Sequence, residues 1–114
     1  MKAANHFPKL IAQHPAADIL IDGLSSHLIQ AGAQQFVFMQ FEDDVVVAEH
    51  SHEAQWGVVL EGTMALTIEG ERRTLLKGDT YFIDKDVPHS AIIKKGYSDL
   101  TLFDQADRYK IRER

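Results

Sequence analysis

An all-β fold of sandwich or barrel type is what this sequence predicts, on three observations. Apolar residues come in short runs and not at helical spacing, a turn signal built from Gly, Asp or Glu follows almost every run, and only residues 7–17 have room for a helix. In that segment, FPKLIAQHPAA, Pro8 and Pro15 limit any helix to a turn or two. The runs then follow in order. Residues 18–22 (DILID) and 26–30 (SHLIQ) are separated by Gly23, and Gly32 divides the second from 36–41 (FVFMQF). Alternation in FVFMQF splits Phe36, Phe38 and Gln40 from Val37, Met39 and Phe41, and one set must line the interior. Asp43 and Asp44 turn the chain into 45–52, the run 56–60 ends at Glu61-Gly62, and 64–69 ends at Gly70-Glu71. Residues 72–76 close at Gly78-Asp79, 80–83 at Asp84-Lys85-Asp86 and 90–94 at Gly96, and 100–103 complete the set.

The 114 residues suit one domain, and an apolar share of 45% is enough for one core. Residues 1–17 read as an N-terminal extension, and 108–114, basic but including Glu113, as a solvated C-terminal tail. Twelve Lys and Arg against seventeen Asp and Glu give a net charge of −5, which argues against a nucleic-acid partner. The opening MKAANHFPKL carries no apolar signal segment, and no run approaches the ~20 apolar residues that cross a bilayer, so no membrane partner and a cytoplasmic location are expected. Without cysteine, disulfides and thiol chemistry are excluded, and any metal must be held by N and O ligands. GxGxxG, Walker, GxSxG and HExxH patterns are likewise absent.

The informative stretch is His50-Ser51-His52. On a strand, residues i and i+2 share a face, so two imidazoles are presented together. Such a pair alone is as well explained by a surface or core pair. The longer pattern changes the weighting: HSHEAQWGVVLEG at 50–62, then GDTYFIDKDVPHS at 78–90. These segments resemble the two motifs of the cupin family. In the first, two histidines and a Glu or Gln lead into a strand ending at a glycine turn; in the second, Gly-Asp opens a strand that runs to a third histidine. His50, His52, Gly62, Gly78 and His89 match those positions.

The resemblance implies a cupin double-stranded β-helix, or jelly-roll barrel, holding one divalent transition metal (Zn, Ni, Fe, Mn, Co or Cu) through His50, His52 and His89. Counting back from Gly62, the family's carboxylate position falls on Gln55, the preferred fourth ligand; Glu53, one residue from His52, is the alternative. Three imidazoles and a neutral amide would leave the ion's charge unneutralised and favour an anionic ligand. Asp84 and Asp86 stand where the family's turn carries Pro and Gly, and Asp tolerates the left-handed backbone.

Around this centre, Gly57 shares the face of Gln55 and either offers room for a substrate or marks a bulge or kink, with Phe38 and Phe103 as further pocket residues. Tyr81 is the candidate general acid or hydrogen-bond donor. Trp56 is expected to point outward, Glu61 reads as a turn residue, His27 as a surface or satisfied histidine, and His6 and His14 have no assigned role. The expected function is a mononuclear metalloenzyme, such as a hydrolase, isomerase or dioxygenase, acting on a small carboxylated or sugar-acid-like metabolite. A non-catalytic ligand-binding or sensing barrel is the alternative. Strand edges and aromatic surface to be covered predict a homodimer.

Overall fold

The structure, a computed structural model, describes residues 7–112. A single helical turn, α1 (Lys9–Ala12), precedes nine strands: β1 (Leu24–Ala31), β2 (Gln34–Phe41), β3 (Val45–His50), β4 (Gln55–Glu61), β5 (Met64–Ile68), β6 (Glu71–Leu75), β7 (Thr80–Ile83), β8 (His89–Ile93) and β9 (Ser98–Phe103). They form two sheets, ordered β1-β2-β9-β4-β7 and β3-β8-β5-β6, with every pairing antiparallel. The jelly-roll expectation is met. Expected strand 18–22 is not a strand, although Ile19 and Ile21 still pack against the core. Alternating hydrophobicity reports which side chains face inward, and it does so whether or not the backbone finds a ladder.

The core lies between the sheets. Leu28, Val37, Met39, Phe41, Val59, Tyr81, Ile83 and Phe103 come from the first sheet, and Met64, Leu66, Leu75, Ala91 and Ile93 from the second. Of the two sets in FVFMQF, Val37, Met39 and Phe41 are therefore inside. Gly62 turns β4 into β5 at φ +78°, and a Cβ there would lie 2.7–2.9 Å from the backbone of Gly96 and Tyr97, so only glycine fits. Asp86 takes φ +64° in the turn before β8, as its side chain allows, and its N–H donates to the carbonyl of His52 at 2.9 Å.

Both ends of the described chain are tied down. Ala17 bridges Ile111, Asp18 N–H donates to Lys110 O at 2.7 Å, and Arg112 N–H to Ala16 O at 2.9 Å. Gln35, almost fully buried on β2, grips Tyr109 by both backbone groups, its amide nitrogen donating to Tyr109 O at 2.9 Å and its oxygen accepting from Tyr109 N–H at 3.0 Å. Of the tail read from its charges, 110–112 are exposed, while Arg108 and Tyr109 are half-buried and the segment is tied down through its backbone. It crosses one end of the barrel, because buried Gln35 gives the Tyr109 backbone the partners that water would otherwise supply.

Candidate metal centre

Three imidazoles meet at that same end. His50 and His89 face each other across the β3–β8 ladder, with ring centroids 4.3 Å apart. His52 lies beyond the end of β3, 5.1 Å from His50 and 4.8 Å from His89. Its position is therefore fixed by the turn contact with Asp86 as well as by strand alternation. One nitrogen from each ring can be chosen so that all lie within 4.8 Å of one another.

The backbone sets which nitrogen that is. Nδ1 of His50 donates to Ala48 O at 2.9 Å, Nδ1 of His52 to Glu53 O at 2.7 Å, and Nδ1 of His89 to Val87 O at 2.9 Å. A carbonyl only accepts, so each ring carries its proton on Nδ1 and keeps the Nε2 lone pair for an ion. Two of the rings, His52 and His89, are also biased toward the neutral form. His52 is pushed down to about 4, first by burial and then by the Arg108 charge and by repulsion against protonating it beside the other two imidazoles, while the Glu53 carbonyl bond opposes the shift. His89 is lowered by burial, with the Val87 carbonyl opposing and His50 and Arg108 adding.

The histidines open into a cavity of about 250 Å³ between the sheets, lined mainly by apolar side chains and also by Gln55, Tyr81, Phe103, Asp99, Thr101 and Arg108. Gln55, at the start of β4, donates its amide nitrogen to the Tyr81 hydroxyl at 3.2 Å. Burial raises the Tyr81 hydroxyl well above its usual pKa, so it stays protonated. A Cβ on Gly57 would lie 2.4–2.5 Å from the Tyr81 ring, so the room left by this glycine is filled by Tyr81. Phe103 meets the His52 ring edge-on at 5.6 Å. Phe38 does not line the cavity: with Val37 and Met39 inward, the two-residue period sends it outward, where it packs on Phe7. Glu53 pairs with Lys85 at 3.7 Å and is not in the histidine cluster. Trp56 is partly exposed, Glu61 pairs with Lys77 at 3.2 Å, and His27 is buried with Nδ1 donating to His14 O at 3.2 Å.

Two residues of the cavity escaped the sequence reading. The Arg108 guanidinium lies over the Tyr109 ring at 4.5 Å and near Phe103 at 5.6 Å, with Nε buried and unpartnered; none of the ion pairs among the described residues involves it. Asp99 is 4% exposed; Oδ2 accepts from the Tyr97 hydroxyl at 2.7 Å, while Oδ1 has no hydrogen-bond partner. Burial raises its carboxyl to about 7, against the lowering effect of the Tyr97 bond. Strand parity from Phe103 was a usable signal for Asp99, four residues earlier on the same face. Nothing local marks Arg108, whose placement depends on Gln35, far away in sequence.

Comparisons with known proteins agree with this architecture. KdgF from a Halomonas species is 24% identical, with TM-score 0.70, covering 81% of this chain and 86% of that one. An RmlC-like cupin from Shewanella frigidimarina is 22% identical, with TM-score 0.73, covering 91% and 93%. The oxalate decarboxylase of Bacillus subtilis, which has Mn(II) centres, is 22% identical, with TM-score 0.64, covering 77% of this chain and 27% of that one. No protein of curated function matches the sequence. At these identities the likeness is one of fold. The cupin domain family itself matches residues 37–104, from β2 to just past β9 and across all three histidines, and the chain belongs to that family.

Proposed function

We propose that this protein is a mononuclear metal cupin whose His50, His52 and His89 hold one divalent ion, and that it acts on a small carboxylated or sugar-acid-like metabolite. The observation that carries the reading is the set of Nδ1–carbonyl contacts: three clustered imidazoles, each with Nδ1 committed to a backbone carbonyl, leave three Nε2 lone pairs unspent in one cluster. Gln55 is the fourth ligand. Its bond to Tyr81 uses the amide nitrogen and leaves the oxygen as donor atom, so Tyr81 acts as a positioning residue. N and O ligands of this kind suit Zn, Ni, Fe, Mn, Co or Cu. When bound, such an ion supplies Lewis acidity toward an oxygen of the ligand.

Ligand charge follows from the site's own. The ligand set carries no negative side chain, and Arg108 adds a cation at the same end of an apolar cavity, so a carboxylate is the complementary group. Phe103 and Tyr109, packed edge to face at 5.6 Å, hold Arg108 in place. The second reading, a barrel that binds such an anion without turning it over, uses the same groups and differs only in lacking turnover.

The protein is also proposed to be a homodimer. Ile29, Phe36, Leu102, Trp56 and Phe82 are register partners across all five strands of the first sheet, and Trp56 and Phe82 are 38% and 57% exposed. An apolar row on the outer face of a sheet is surface that a second copy would cover.

The deciding experiment is plasma mass spectrometry on untagged protein purified without chelator, beside His50→Ala and His89→Ala. About one transition metal per chain, lost in both variants, is expected. A wild type that takes up no metal, even on reconstitution, overturns the reading.

A further inference from the structure

Strand β9 aims Asp99, Thr101 and Phe103 into the cavity. Phe103 touches His52, so it marks the histidine end. Asp99 lies four residues back along the strand, about 13 Å away at strand rise. There its register partners are Met39 on β2 and Val59 on β4, and the cavity wall around that end includes Met64 and Ile93. Among these apolar neighbours a carboxylate is the wrong residue for packing alone.

Its partners do not account for it. The Tyr97 hydroxyl satisfies Oδ2, while Oδ1 is buried without a hydrogen bond. Thr101 is already committed, its hydroxyl donating to Val37 O at 3.1 Å, while the Tyr81 hydroxyl, which accepts from Gln55, feels the Asp99 charge but forms no hydrogen bond with Oδ1. No ion pair among the described residues reaches Asp99. The charge of Arg108 acts on His52 and His89, at the opposite end. The cavity therefore has one end that suits an anion, where Arg108 adds its charge beside the three imidazoles, and an acceptor end at Asp99.

We propose that Asp99 is a ligand-binding residue, accepting a hydrogen bond at Oδ1 from a hydroxyl or ammonium group of a small molecule whose carboxylate lies at the histidines and Arg108. The ligand class is thereby narrowed to hydroxy- or amino-carboxylates with the donor set several atoms from the acid group. A purely apolar acid of the same length would leave Oδ1 unpaired. The inference rests on the proposed function, in which the histidine end binds the ligand's carboxylate.

The test is calorimetric titration of metal-free and zinc-loaded protein with butanoate, hexanoate, 4-aminobutanoate and 6-aminohexanoate. At least one amino acid is expected to bind tenfold or more tightly than its methyl-terminated counterpart. Asp99→Asn, checked for folding by its melting curve, is expected to erase that preference while leaving the plain acids within about threefold of wild type. His50→Ala should weaken all zinc-dependent binding equally and keep the preference. Failure of zinc uptake would overturn the metal reading alone, since the metal-free protein still reports the preference through Arg108. Equal binding of paired probes by the wild type, an unchanged preference in Asp99→Asn, or no binding of any probe in either form would overturn the role of Asp99.

Discussion

Asp99 leaves a signature in stability as well as in binding. Burial raises its carboxyl from the ordinary carboxylate range to about 7 in the folded chain. The folded state therefore holds a proton that the unfolded state has released, and stability drains away as pH rises from about 4 to about 7, then levels off. A shift of that size corresponds to roughly 4 kcal/mol at most. In urea unfolding at pH 5 and pH 8, Asp99→Asn is expected to gain on the wild type at the higher pH, and parallel pH profiles would contradict the burial argument. Gly57 gives a second residue-scale prediction. Gly57→Ala must displace the Tyr81 ring, release Gln55 and weaken metal retention about tenfold or more against a chelating indicator, with the fold retained. The histidines were legible because their spacing is local and repeated in a known pattern. Gly57 was legible only in part: the missing side chain was visible in the sequence, but not the ring that fills its place.

Among elements, strands were read well and their ends less so. The runs around β2, β4, β7 and β9 were located to within two residues, yet 45–52 stops pairing at His50 and 18–22 forms no strand. Hydrophobic alternation is set by the core, whereas pairing also needs a neighbour with free backbone groups. The segment 104–112 shows the limit most clearly, since Tyr109 is held by Gln35 on β2, 74 residues earlier, and 110–112 by residues near the other end of the described chain. Gln35→Leu is expected to free this segment, raising amide exchange at Tyr109 and Arg112 while costing about 1–3 kcal/mol. Unchanged exchange there would show that the clamp is dispensable. Gly62→Ala, forced against the backbone of Gly96 and Tyr97 at positive φ, should cost about 1–3 kcal/mol in chemical denaturation.

For the molecule as a whole, family membership was legible from residues 50–90, while the division of the cavity into two poles was not, because it joins β9 to a segment that composition alone marks as solvent-exposed. The homodimer is tested at this scale. A stable interface covers about 800 Å² per partner, and the row ending in Trp56 and Phe82 is where it would form. Light scattering should give twice the 12.9 kDa chain mass for the wild type and the single mass for a Trp56→Lys, Phe82→Lys variant. A wild-type monomer at high concentration would refute it. Among the described residues no helix is long and apolar enough to cross a membrane.

The closing of the barrel end by residues 108–112 also fixes an order of events during synthesis. His50, His52, Gln55 and His89 all emerge from the ribosome before Arg108 and Tyr109. Arg108 and Tyr109 can therefore close that end only after the three imidazoles have been made.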